Sequence, residues 1–175
     1  MKKLKNNELE RIDILEFKKI KKTPIIVVLD NVRSALNVGA IFRTTDAFLI
    51  KKVFLCGITA YPPNKEIRKS ALGSSDSVEW EYEGDIIKVI NKLKALDYSI
   101  VAVEQTNKSI MLNDFKTKNK KIAIVLGNEV HGVSEEVIKE CDTAVEIPQY
   151  GTKHSLNISV AAGIVIWDLY NKIKR

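Results

Sequence analysis

Short apolar runs separated by helix-like segments constrain this chain more than any other feature. Residues 25–29 (IIVVL), 53–55, 100–103, 122–126 and 144–147 are largely apolar rather than alternating, the pattern of strands covered on both faces. Between or after them, 35–48, 85–96, 133–140 and 155–173 carry helical periodicity. Strands alternating with helices specify an α/β fold with a mostly parallel sheet flanked by helices. Residues 78–82 (VEWEY) alternate apolar and polar and form a further strand candidate. Residues 57–77, with Pro62, Pro63, Gly73 and a serine patch, are expected to be a long surface connection. The last helical segment is apolar around nearly its whole circumference, which requires burial on more than one side. A second copy of the chain, or a central position within one chain, would supply that burial.

At 175 residues the chain has room for one domain with a real core. Its richest apolar run, 158–167, is about half what a bilayer requires, and the basic N-terminus leads into no apolar signal region. Cys56 and Cys141 lie far apart, and His131 and His154 lack zinc-ligand spacing, so neither a disulfide nor a metal is expected. A cytoplasmic location follows from these features as an expectation. Net charge is +6, and residues 1–22 hold eight cations against four acids. That stretch is expected to be a basic helical extension preceding a domain over 23–175. Such a segment suits a polyanion such as nucleic acid, although a solvated leader would look the same.

Nucleotide-binding signatures fail one after another. There is no GxG for a dinucleotide, and no GxSxG elbow. Gly127 and Gly132 have P-loop spacing, but Val133-Ser134 stands where a lysine and a hydroxyl residue are required.

Three blocks carry a positive signal. In the first, Asn37-Val-Gly-Ala-Ile-Phe-Arg43-Thr-Thr-Asp46, Asn37 is a candidate helix cap, Gly39 allows close approach, and Arg43 and Asp46 are expected to be neighbours near the helix start. The second, Leu126-Gly127-Asn128-Glu129-Val130-His131-Gly132, follows an apolar strand, where open α/β sheets place their ligands. Glu129 there is either a functional carboxylate or an acid favouring a helix dipole. The third runs from Ile147 through Pro148 and Gly151 to Ser155-Leu156-Asn157-Ile158-Ser159. Ser155 is adequately explained as a cap, whereas Asn157 and Ser159 in a buried helix would need polar partners.

In this order and spacing, NxGxxxR, GNExxG and IPxxGxxxSLNxSxA resemble the SpoU/TrmH family of RNA ribose 2′-O-methyltransferases, of the SPOUT superfamily, over about residues 23–173. The resemblance implies a C-terminal trefoil knot, S-adenosyl-L-methionine as methyl donor and a homodimer. It implies Arg43, Asn37, Glu129, Ser155 and Asn157 as catalytic-site residues. It places the cofactor around Val103, Glu104, Leu126, Gly127, Ile147, Ser155 and Leu156, with Val103 and Glu104 assigned only by their position at a strand end. The short basic leader resembles the compact tRNA-modifying members, so tRNA is the expected substrate. The alternatives are rRNA or a catalytically silent RNA-binding role.

Overall fold

The structure, a computed structural model, describes residues 1–117 and 119–174; Arg175, the end of the expected domain, lies outside the described residues. Seven strands form one sheet: β1 (Thr23–Asp30), β2 (Ile50–Cys56), β3 (Trp80–Glu83), β4 (Ser99–Val103), β5 (Ile110–Met111), β6 (Ile122–Leu126) and β7 (Thr143–Glu146). Their order is β3-β2-β1-β6-β4-β7-β5, and every pairing is parallel. The helices are α1 (Ile14–Lys19), α2 (Ala35–Ala47), α3 (Lys65–Ala71), α4 (Ser74–Ser77), α5 (Ile86–Ala95), α6 (Glu135–Glu140) and α7 (Ile158–Lys174).

Both faces of the sheet are covered, which is why its central strands are apolar at successive positions. Ile25, Val27 and Leu29 of β1 face a core shared with α1, α2, α3 and α7. Ile26 and Val28 face a second core with α5 and α6. All five residues of β6 are buried. Burial also pushes the Cys56 thiol up to about 12 and the Cys141 thiol up to about 11, with nearby carboxylates adding to the effect. Both therefore remain protonated thiols near neutral pH.

The course of the chain departs from expectation in several places. Segment 57–77 is not a plain surface connection: it holds α3 and α4, with Ile67, Ala71, Ser74, Ser75 and Ser77 buried. Its packing depends on Gly39, where a Cβ would fall 2.5 Å from the Ile67 carbonyl oxygen, so α2 and α3 touch backbone to backbone. Strand β5 is too short to show a sequence pattern. Within residues 1–22 helix is confined to Asn6–Glu8 and α1, and Phe17 is driven into the main core at 4% exposure. Lastly, α7 begins at Ile158 rather than 155.

Helix α7 buries one side only. Ile158, Ala162, Val165, Ile166 and Leu169 enter the core, while Val160, Ile164 and Trp167 stay exposed on the other side. The Trp167 ring lies 5.6 Å from Phe48 at the end of α2. Among the described residues no helix is long and apolar enough to cross a membrane.

Phe17 makes the leader part of the fold. Replacing it with Ala should cost about 3 kcal/mol in urea denaturation, whereas Leu15→Ala, at an exposed position, should change stability little.

Candidate active site

A parallel sheet collects its strand C-termini along one edge, and ligands gather there because the following turns leave a crevice. Here β4, β6 and β7 end beside the loop that leads into α7. The resulting cavity, about 270 Å³, is lined by Val103, Glu104, Leu126, Gly127, Ser155 and Leu156 among others. A smaller adjoining one, about 100 Å³, shares Val103, Glu104 and Leu156 and adds Ile147. All seven positions expected to hold the cofactor thus border this pair of cavities. A larger cavity, about 740 Å³, lies at the opposite end of the strands.

The turn after β6 forms the floor. Asn128 and Gly132 exchange backbone hydrogen bonds of 3.0 and 2.8 Å. The Asn128 side chain accepts from the Val130 and His131 amides and donates to the Asn31 carbonyl. Gly127 faces the backbone of Gly132 so closely that a Cβ would come within 2.2 Å of it. Gly132 has φ +65°, and a Cβ there would meet the Glu104 carboxylate at 2.1 Å. Glu104 in turn accepts from the Val133 amide at 2.9 Å and from the Gln105 amide at 2.8 Å.

Glu129 leaves this turn toward α2. Its carboxylate accepts from the Arg33 amide (2.8 Å), the Ser34 amide (3.0 Å) and the Asn37 side-chain amide (3.0 Å). It therefore serves the entry to α2, rather than the dipole of the helix that follows it. Burial raises its pKa, but these hydrogen bonds outweigh burial and hold the carboxyl below its ordinary value. The Asn37 side-chain oxygen Oδ1 accepts from the Asn157 side-chain amide at 3.2 Å. One hydrogen-bonded line thus joins all three sequence blocks across separations of 92 and 120 residues.

Helix caps are assigned differently from expectation. Ser34 caps α2, with Asn37 inside the first turn. Asn157, not Ser155, sits at the entry to α7, where its side-chain oxygen accepts from the Ser159 amide and hydroxyl. That supplies the polar partners Asn157 and Ser159 required. Ser155 lies before the helix and borders the cavity.

Arg43 is elsewhere. It is the ninth residue of α2, not near its start. Asp46 receives the Ser77 hydroxyl. Leu36, Ala40, Arg43 and Ala47 share one face of α2 by helical spacing. Arg43 lines a separate depression with Ala40, Ala47 and Phe48, and Phe48 is the residue that meets Trp167.

Residues 24–167 match the SpoU rRNA methylase family. The chain belongs to this family. It is 34% identical over 145 residues to a tRNA (guanosine(18)-2′-O)-methyltransferase from Borreliella burgdorferi, covering 83% of this chain and 62% of that protein. A TrmH/SpoU tRNA modifying enzyme from A. aeolicus superposes with a TM-score of 0.82 at 28% identity, over 92% of this chain and 81% of that one. An AdoMet-bound rRNA methyltransferase from Sinorhizobium meliloti gives 0.80 at 27%, over 89% and 59%. The chain spans about 58 to 70% of the length of the first curated relatives it matches. The parallel sheet flanked by helices is thus that of SpoU proteins. Among the described residues no group of His, Cys, Asp and Glu is arranged to hold a metal ion.

Sequence reasoning quotes Asn128 and Gly132 in the second block without assigning them to the site, and it does not mention Gln105. The Gly127–Gly132 spacing was a usable signal for the first two. Nothing local marks Gln105, whose side-chain amide donates to the distant His154 carbonyl at 2.7 Å.

The Glu129 clamp should be visible in acid. Its folded pKa lies below the ordinary 4.5, so its stabilisation is fully present above that value and is lost as pH falls through the lowered one. Wild-type melting temperature should therefore drop more steeply than that of Glu129→Gln between about pH 5 and 3.

Proposed function

We propose that this chain transfers a methyl group from S-adenosyl-L-methionine to a ribose 2′-hydroxyl in RNA, with tRNA as substrate. The observation that carries this reading is the hydrogen-bonded line Glu129–Asn37–Asn157 beside two adjoining cavities that together are bordered by every expected cofactor residue. Likeness to SpoU proteins that modify tRNA supports the substrate class.

The donor set suits the cofactor. Apolar walls from Val103, Leu126, Ile147 and Leu156 fit a purine, and Gly127 contributes to the cavity lining beside them. The Glu104 carboxylate keeps acceptor capacity for a ribose hydroxyl. When bound, S-adenosyl-L-methionine supplies an electrophilic sulfonium methyl.

The polar residues orient the acceptor. Asn37 is held at both ends of its amide, by Glu129 and by Asn157, so its orientation is fixed before RNA arrives. Ser155, exposed at the cavity, offers a hydroxyl to the incoming ribose. Arg43 cannot accept the proton itself, since a guanidinium stays protonated. Its role is to grip a substrate phosphate bidentately and align the 2′-hydroxyl.

Arg43 is six positions from Asn37, about 9 Å along α2 and on another face, so it does not border its own chain's cavity. The working enzyme is a homodimer paired through the exposed apolar face of α7 and the Arg43 face of α2, which brings Arg43 to the partner's site. The trefoil knot is supported by the order of the sheet, with β6 between β1 and β4, and by the return of 147–157 to the β4 end, where Gln105 meets His154. The site of action is the cytoplasm, with RNA as the partner.

Protein incubated with methyl-labelled S-adenosyl-L-methionine should label tRNA, and digestion should release a 2′-O-methylnucleoside. Label in rRNA alone would change the substrate, and label in neither would leave only RNA binding. Arg43→Ala should abolish most transfer while leaving cofactor binding nearly unchanged, and Arg43→Lys should rescue little. An exchanged mixture of Arg43→Ala and Asn157→Ala chains should regain about a quarter of wild-type turnover, because each mixed dimer keeps one intact site. No regain would place Arg43 and Asn157 in the same chain's site.

A further inference from the structure

The cavity of about 740 Å³ is not the one the chemistry uses. It opens at the N-terminal ends of β1, β2 and β3, with Lys18, Lys21, Lys22 and Lys51 around it and Trp80 as one wall. Along β1, Pro24 at this end is five residues from Leu29, which pairs with Leu126 of the candidate active site. That is about 17 Å of strand, so a nucleotide held here is not the one modified.

Lys18 and Lys21 are exposed, whereas the Lys51 ammonium donates to the Tyr98 hydroxyl at 3.0 Å. Lys22 is turned inward, donating to the Phe17 and Ile20 carbonyls, and so fastens α1 to the start of β1. Two acids share the rim. Glu79 is paired with Lys52 at 2.9 Å, which leaves Asp76 as the opposing charge.

Aromatic surface continues from this basic rim. Trp80 and Tyr82 share one face of the edge strand β3, and Tyr61 lies over both. Tyr61 stacks near-parallel to Trp80, with ring centres 6.5 Å apart, and sits 4.5 Å from Tyr82. Tyr61 and Tyr82 remain 48% and 42% exposed. Lysines alone would describe a solvated face, and one exposed ring would be unremarkable. A row of three rings continuous with a lysine-lined groove is a different arrangement. It offers cations to a backbone and π-faces to its bases. Duplex RNA keeps its bases stacked inside, so only unpaired nucleotides can use the rings.

We propose that this groove binds a single-stranded stretch of the RNA substrate, with phosphates on Lys18 and Lys21 and bases on the Trp80–Tyr61–Tyr82 row. The proposal rests on the RNA-modifying role above and adds where, and in what form, the RNA is gripped away from the reacting ribose. It also gives the basic leader a defined task. Because Phe17 is in the core, point substitutions test that task more cleanly than removal of residues 1–22.

The test uses the full chain and a single-stranded oligoribonucleotide carrying 4-thiouridine. Photo-crosslinks should map to Tyr61, Trp80 or Tyr82. Lys18→Ala/Lys21→Ala should weaken binding on the order of tenfold at about 0.1 M salt and reduce the log–log salt slope by about 1.4, the value for two phosphate contacts on a single strand. Tyr61→Ala should also weaken binding on the order of tenfold. Lys88→Ala/Lys139→Ala, on α5 and α6 across the sheet, should leave affinity unchanged. Crosslinks confined to other positions would overturn the proposal. So would unchanged affinity of the lysine variant, or competition by polyglutamate as effective as that by RNA, which would make the groove a site for acidic peptides. Methyl transfer is measured separately on the same protein. Transfer without crosslinks in this groove would remove the groove and leave the enzyme, and groove crosslinks with no transfer to any RNA would do the reverse.

Discussion

The contact on which the candidate site depends is one carboxylate accepting two backbone amides and a side-chain amide. Glu129 fastens the turn after β6 to the entry of α2. The two backbone amides, of Arg33 and the cap Ser34, lie immediately before α2, whose own first N–H groups have no partner within the helix. An anion there satisfies donors and meets the positive end of the helix dipole. The same carboxylate fixes Asn37, and Asn37 fixes Asn157 at the entry of α7. Two helices and a turn are thus registered against one another through a few polar atoms, and the cavity takes its shape from that registration.

Much of this was legible in the sequence, for definable reasons. Strands buried on both faces announce themselves as apolar runs, so β1, β2, β4, β6 and β7 were visible, and the alternation in 78–82 pointed to β3. The motif spacing located the polar residues of the site. What escaped were features that depend on distant partners. Nothing in the Pro- and Ser-containing stretch 57–77 shows that its serines turn inward against α2. Nor does the charge of residues 1–22 reveal that Phe17 is a core residue. Caps were misassigned by a few positions because Ser34, Asn37, Ser155 and Asn157 are all competent, and only the backbone path chooses among them. Arg43 was grouped with the other site residues by motif order, yet helical rotation carries it to a different face.

The molecule also divides its charge by location. Around the strand C-termini the polar groups are amides, hydroxyls and carboxylates, among them the hydrogen-bonded Glu104 and Glu129. At the opposite end lysines dominate. A single sheet therefore presents two environments at fixed separation, because both are attached to the ends of the same strands.

The turn from Gly127 to Gly132 has a consequence for how the site can vary. Its floor is main chain pressed against main chain, with no room for an added carbon at Gly127 and only the Glu104 carboxylate beyond Gly132. Shape here is set by the backbone path, which the side chains of Asn128 and Glu104 hold in place. Positions that carry none of these hydrogen bonds are free to drift without redrawing this floor. A very few, where even a methyl group is an intrusion, are forbidden to.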